Sequence, residues 1–365
     1  MKEYYELSNK ILRDLCAIPA PSHKEDNRAK YILDTLISWG AEGAYIDDAK
    51  NVIYELKGVN GEITVFAAHT DTVFPDMKPM PFSEDEKNIY CPGCGDDTVC
   101  VAQLMAVIKY VIDNGKKPEN TILFALNSCE EGLGNLKGTR NLMSKYGNRV
   151  KTFFTLDGQY DKICTGCVGS HRYRVTVKTE GGHSFNAFGN KNALNILAKG
   201  IRCIYAIDVP AVGKTTYNVG TVTGGTSVNT IAQDAEMLCE YRSDSYENLN
   251  FMKNKFEEVF DEMREEGATV DVEIVGERPC MKGIDERRQE ELGKMCRDIQ
   301  SRHTNLDVLF DIGSTDCNIP LSMGINAICV GTYKGGGAHT REEWLDKASI
   351  PIGVDIIKEL VEKFI

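Results

Sequence analysis

His69-Thr70-Asp71 places an imidazole and a carboxylate two residues apart, and Asp96-Asp97, Glu130-Glu131, Asp157 and His339 follow along the chain. Two imidazoles with several carboxylates, and no recurring thiolate pattern, suit a hydrolytic zinc, cobalt or manganese centre that keeps a coordination position open for water. A metal-bound histidine normally gives its other ring N–H to an oxygen partner, which fixes tautomer and ring orientation. Asp71 is placed to be that partner of His69. Alone, an H-x-D triplet also suits a solvent-facing turn.

Asp96-Asp97 follows Pro92-Gly93-Cys94-Gly95 and is expected to open a helix. Carboxylates there can cap the helix and offset its dipole. Two metals about 3.5–4 Å apart need a carboxylate that bridges them, and a Gly-rich turn would hold one rigidly. The bridge is assigned to Asp96, with Asp97 left out of the ligand set. In Glu130-Glu131, neighbours on an extended segment point in different directions, so one can bind metal while the other acts as a general base. A surface acidic pair before a Gly-rich turn is the alternative. Asp157 follows Phe153-Phe154-Thr155-Leu156, where a buried carboxylate is costly unless paired or metal-bound, though a cap is also open. His339 follows three glycines that allow close backbone approach or simply form a flexible loop.

These residues need elements to carry them. Ile63 to Ala68 runs into His69, Thr121 to Leu126 leads to Glu130-Glu131, Thr152 to Leu156 leads to Asp157, and Ile325 to Val330 leads to His339. Such apolar runs read as buried strands of a mainly parallel sheet, whose sites lie beyond the carboxyl ends of the strands. From Lys2 to about Gly166 helix and strand alternate, with helices expected over Tyr5 to Cys16, Lys24 to Trp39 and Val99 to Asp113. That alternation predicts an α/β layer structure with helices on both faces of a mixed, mainly parallel sheet. From about Val168 the texture changes. Two β-α-β halves follow, Arg172 to Val222 and Ala232 to Val275, which describe a ferredoxin-like α+β domain. The α/β pattern returns after Asp285. The expected division is 1–167 and 281–365 for the metal-binding domain, with 168–280 inserted.

The chain has 365 residues, 42% of them apolar and 26% charged, which is ordinary for a globular protein. Its net charge of -12 argues against nucleic acid or an anionic membrane as partner, because both need clustered Lys and Arg. No stretch approaches the roughly 20 apolar residues of a membrane span, and a cytoplasmic protein is expected. Thirteen cysteines are scattered through apparent core elements and read as buried free thiols. Cys91/Cys94 and Cys164/Cys167 form two CxxC pairs, but their separation lies far outside the zinc-ribbon spacing of about 15–20 residues.

Taken in order, HTD, GxxDD, CEEG, LDG, an inserted GGHS and a late AHT resemble the co-catalytic metallopeptidase family of peptidase T, carboxypeptidase G, aminoacylase, acetylornithine deacetylase and succinyl-diaminopimelate desuccinylase. The resemblance spans nearly the whole chain, from Pro19-Ala20-Pro21-Ser22 to the C-terminal helix. It implies a zinc-exopeptidase-like catalytic domain with an inserted lid and dimerisation domain. It implies two divalent cations, zinc first, with His69, Asp157 and the bridging Asp96 on one and Glu131, His339 and Asp96 on the other. Glu130 matches the general base that takes a proton from the bridging water and delivers it to the leaving amine. His183, in Gly182-His183-Ser184, matches the histidine that supports the tetrahedral oxyanion, often across a homodimer. Asn229 and Arg242 match positions that contact a substrate carboxylate or backbone; Arg242 also suits a surface strand. The expected substrate is a short peptide, as for a tripeptidase or aminopeptidase, with N-acyl amino acids as the alternative. After the acidic pair this chain has Asp97-Thr98-Val99-Cys100, where many relatives carry a lysine and then small residues.

Overall fold

The apolar runs form the middle of an eight-stranded sheet in a computed structural model that describes the backbone of residues 1–365 and every side chain except that of Leu133. The chain divides into two compact units, Met1–Cys167 with Lys282–Ile365, and Val168–Met281.

In the first unit the sheet order is Tyr45–Ile46, Val52–Leu56, Asn120–Asn127, Asn60–His69, Val150–Leu156, Asn326–Val330, Lys162–Cys167 and Leu309–Gly313. The four central strands, Asn120–Asn127 through Asn326–Val330, run parallel, and antiparallel partners flank them on either side. Side chains of Asn60–His69 are buried from Ile63 onward because helices cover the sheet. Helix Cys100–Asp113 supplies ten buried residues and packs with Lys2–Cys16 and Ser349–Glu362. Phe66 stands opposite both Phe124 and Phe154 in register, and the three rings stack across the strands at centroid separations of 6.1 and 5.2 Å. Removing such a ring costs about 3–5 kcal/mol. That packing fixes where the strands end, and therefore where their terminal side chains stand.

Two features differ from expectation. Asp96 (φ -99°, ψ 97°) and Asp97 (φ -121°, ψ 20°) are not helical, and the regular helix begins only at Cys100. The turn is held open by a buried glutamate described below. Leu309–Gly313 is a strand not expected from the sequence: its apolar stretch Val308-Leu309-Phe310 is short and broken by Asp311, and as the outermost strand it leaves Leu309, Phe310 and Ile312 exposed.

In the second unit four antiparallel strands are ordered Thr215–Gly224, Asp234–Ser243, Gly169–Lys178 and Thr269–Arg278. Helices Ala193–Ile204 and Tyr246–Glu265 pack on the sheet, each started by a side-chain cap, Asn192 and Ser245. Tyr173, Val175, Met237, Tyr241 and Phe256 fill the core between helices and sheet. This is the ferredoxin-like arrangement expected from the repeated β-α-β pattern. No described helix is long and apolar enough to cross a membrane.

Candidate metal centre

His69 is the last residue of its strand, and three groups orient it. Its backbone N–H donates to Asp97 Oδ2 at 3.0 Å. Its Nδ1 lies 3.1 Å from the Asp71 backbone oxygen and 3.4 Å from Asp71 Oδ1, while Nε2 faces Asp96 Oδ1 at 3.1 Å. A proton on Nδ1, given to Asp71, leaves the Nε2 lone pair to face the centre. Asp71 does more than steady this ring. Its carboxylate also accepts the Glu130 N–H at 2.9 Å, the Glu131 N–H at 3.0 Å and the Ser22 hydroxyl at 2.6 Å. One buried side chain thus ties the first strand end to the segment carrying both glutamates.

That segment turns sharply at Cys129, whose φ of 58° is unusual for a non-glycine residue. Glu25 holds it there, accepting the Cys129 N–H at 3.2 Å and its thiol at 3.1 Å. The turn aims Glu130 and Glu131, both buried, past the strand end.

Asp96 occupies the middle of the cluster. One of its oxygens faces His69, and the other lies 3.0 Å from His339 Nε2. His339 Nε2 is also 3.2 Å from Glu131 Oε1, yet that buried oxygen has no hydrogen-bond partner. Close approach without hydrogen-bond geometry is what donor atoms show when they are aimed at a common point rather than at each other. Glu343, from the loop that carries His339, fixes the Asp96 turn by accepting N–H bonds from Gly93, from Gly95 at 2.8 Å and from Asp96 at 2.9 Å.

Ligand atoms of His69, Asp96 and Glu131 all lie within 4.8 Å of one another, as do those of His69, Asp97 and Asp157. Asp97, expected to stay out of the ligand set, therefore lies beside it. Its Oδ2 is committed to the His69 amide, and its buried Oδ1 has no partner. The excess of acid shows in the ionisation. Burial, with Asp96 nearby, pushes the Asp157 carboxyl up to about 7. Burial also holds Asp97 well above the usual carboxylate range. Burial alone would raise Asp96, but His339 and His69 bring it below that range. The facing carboxylates of Asp96 and Glu131 raise His339 to about 10. Burial would lower His69, but Asp97, Asp71 and Asp96 together hold it well above its usual value. Clustered carboxylates, two imidazoles and an unpartnered buried oxygen fit divalent cations better than they fit one another.

The remaining expected residues lie in the second unit. His183 and Asn229 are neighbours there, since Gly182–His183 pairs with Thr230–Ile231 and the Ser184 N–H donates to the Asn229 backbone oxygen at 2.9 Å. His183 is exposed, and its Nδ1 accepts the Phe185 N–H at 3.2 Å. In the neutral ring the proton is then on Nε2, which leaves an outward donor. Arg242 pairs in fork geometry with Glu240, at 2.9 and 3.1 Å. Any substrate carboxylate there would compete with Glu240.

Sequence reasoning missed Glu343, Glu25 and Arg28. Buried Arg28 donates to the Thr70 backbone oxygen at 2.9 Å and to Thr98 at 3.1 Å, linking the first strand end to the acidic turn. It lies four and eight residues before Ile32 and Leu36 on the buried face of helix Asp26–Ser38. A cation in that register was the available signal. Glu343 offered none, because Glu342-Glu343 looks like an exposed pair.

The profile of Peptidase family M20/M25/M40 matches residues 65–363. The chain is 24% identical over 362 residues to a protein of Pyrobaculum aerophilum named as a LysW-lysine/LysW-ornithine hydrolase, covering 97% of this chain and 96% of that one. It is 25% identical over 263 residues to an N-acetyldiaminopimelate deacetylase of Bacillus pumilus, covering 68% of each. Its fold is similar to that of a tripeptidase from Staphylococcus aureus, with a TM-score of 0.80 at 20% identity over 99% of this chain and 98% of the other.

Proposed function

The chain belongs to Peptidase family M20/M25/M40 and is a hydrolase of that family, and from that premise we propose that it cleaves an amide bond in a short peptide, as a tripeptidase or aminopeptidase. The observation that carries this reading is the placement of Asp96, whose two oxygens face two different imidazoles, with Glu131 grouped beside Asp96 and His69, and Asp157 grouped with the same His69 and with Asp97. Two divalent cations, zinc first with cobalt or manganese as alternatives, would be held by His69, Asp157 and Asp96 and by Glu131, His339 and Asp96, polarising the scissile carbonyl and making water nucleophilic at neutral pH.

The protein's own part is proton transfer and positioning. Glu130 takes the proton of the attacking water and delivers it to the leaving amine nitrogen. Asp71 keeps His69 and the Glu130 segment in mutual register, so base and ligands are set by one carboxylate. In this reading His183 offers its Nε2–H to the developing oxyanion, and Asn229 and Arg242 face the substrate. The Thr215–Gly224 strand is an exposed sheet edge, which supports a homodimer formed through the second unit. The thirteen cysteines, all free, support a cytoplasmic location.

The likeness to a tripeptidase fold supports a peptide substrate, and the N-acetyldiaminopimelate deacetylase relative supports the second reading, hydrolysis of an N-acyl amino acid. A panel of tripeptides beside acetyl and succinyl amino acids, run on metal-loaded protein, separates them. Faster turnover of the acyl amino acids overturns the peptidase reading; no uptake of divalent metal overturns both.

A further inference from the structure

Two cysteines outside the ligand set face each other across the first unit's sheet. Cys329, in Asn326–Val330, lies directly opposite Cys164, in Lys162–Cys167, and the two strands are antiparallel. Opposed residues of an antiparallel pair project to the same face with Cα atoms about 4.5–5.5 Å apart. A disulfide spans Cα separations of about 4.4–6.8 Å. Both residues are free thiols; Cys329 is 4% exposed and Cys164 is partly open to solvent. On the other side of Cys164, Gly313 leaves the sulfur uncrowded, since a Cβ there would come within 3.2 Å of it.

Cys329 also reaches the metal centre. Its thiol donates to the Asp157 backbone oxygen at 3.4 Å, and Asp157 in turn donates its N–H to the Val330 oxygen at 3.1 Å. The residue opposite Cys164 is therefore hydrogen-bonded to a proposed ligand.

We propose that Cys164 and Cys329 are an oxidant-responsive pair, joined by a hydroperoxide into a cross-strand disulfide that releases Cys329 from Asp157 and weakens cation binding on that side of the centre. The Cys164 sulfur, the more accessible of the two, attacks the peroxide and breaks its O–O bond, giving a sulfenic acid and one water when the oxidant is hydrogen peroxide. The Cys329 sulfur then attacks the sulfenic sulfur, forming the S–S bond and releasing a second water. Two thiols lose two electrons and two protons, and the peroxide is reduced to two waters. A dithiol reductant reverses the step by exchange.

The effect on turnover rests on the amide-hydrolase reading, whereas the disulfide and the cation affinity do not. The test uses the metal-loaded full chain, exposed to graded hydrogen peroxide, alkylated and digested without reduction. The expected result is a linked peptide pair containing Cys164 and Cys329, a cation affinity about 10-fold or more weaker, a matching fall in turnover, and recovery of both with dithiothreitol. Cys164→Ser should keep basal turnover and resist the oxidant, with Cys164→Ala as the second variant if serine disturbs the strand. Inactivation without the Cys164–Cys329 linkage, Cys164 variants as sensitive to the oxidant as the unsubstituted protein, or a disulfide that leaves cation affinity unchanged overturns the proposal. A protein that hydrolyses none of the amides tested still reports linkage and metal affinity, so failure of the functional reading is seen separately.

Discussion

The region around Asp71 and the segment around His183 would serve one reaction, but they are built in opposite ways. Asp71 is fully buried, and its carboxylate accepts hydrogen bonds from Ser22, Glu130 and Glu131 while facing His69. His183 is exposed, sits on a two-residue strand, and is oriented by the Phe185 N–H. Phe185 and Phe188 beside it are 85% and 91% exposed, so the segment buries little apolar surface of its own. Chemistry that requires fixed distances between donor atoms is placed where packing over-determines them. On the proposed reading, contacts that must form around a substrate are placed where few bonds have to be broken first.

The sharpest way to break this contrast is at the base. Glu130→Gln is expected to lower kcat by about 10²–10⁴-fold while metal content measured on the purified protein stays at the wild-type level. Similar turnover in the two proteins removes Glu130 from that role. His183→Ala is expected to cost about 10²–10³-fold in kcat, the size of a lost oxyanion donor, again without loss of metal. Loss of cation affinity in that variant would show that the exposed segment is not independent of the buried one. Glu343→Ala should weaken cation binding by about 10–100-fold, in line with outer partners of metal ligands, as read by competition with a chromophoric chelator. The smallest effect is expected at Arg242→Ala. Its fork with Glu240 is part-exposed, so unfolding free energy should shift by less than about 1 kcal/mol. A rise in KM confined to substrates with a free carboxylate would show that Arg242 also meets substrate.

The same contrast explains what could be read from the sequence. His69, Glu130-Glu131 and Asp157 follow apolar runs, because strands buried on both faces leave a continuous hydrophobic signature that marks their ends. Asp96 was legible through its Gly-rich setting, but its backbone was not. A helix start was expected, whereas Glu343, about 250 residues away in sequence, grips the turn and keeps it extended. Contacts over such separations leave no local periodicity. Leu309–Gly313 escaped for a different reason, since its apolar stretch Val308-Leu309-Phe310 is only three residues long before Asp311 interrupts it. The role of Asp71 was only half visible: the two-residue spacing suggests a partner for His69, but nothing local indicates its bonds to Glu130 and Glu131.

Glu343 and His339 lie four residues apart on one loop, and Glu343 also clasps the turn bearing Asp96. A displacement of that loop would therefore loosen His339 and Asp96, the proposed terminal and shared ligands, together. The two cation positions should behave as a single cooperative unit. The first ion to bind restrains the loop, which lowers the ordering cost for the second, and a titration of metal-free protein should fill both positions in one steep step rather than two separate ones.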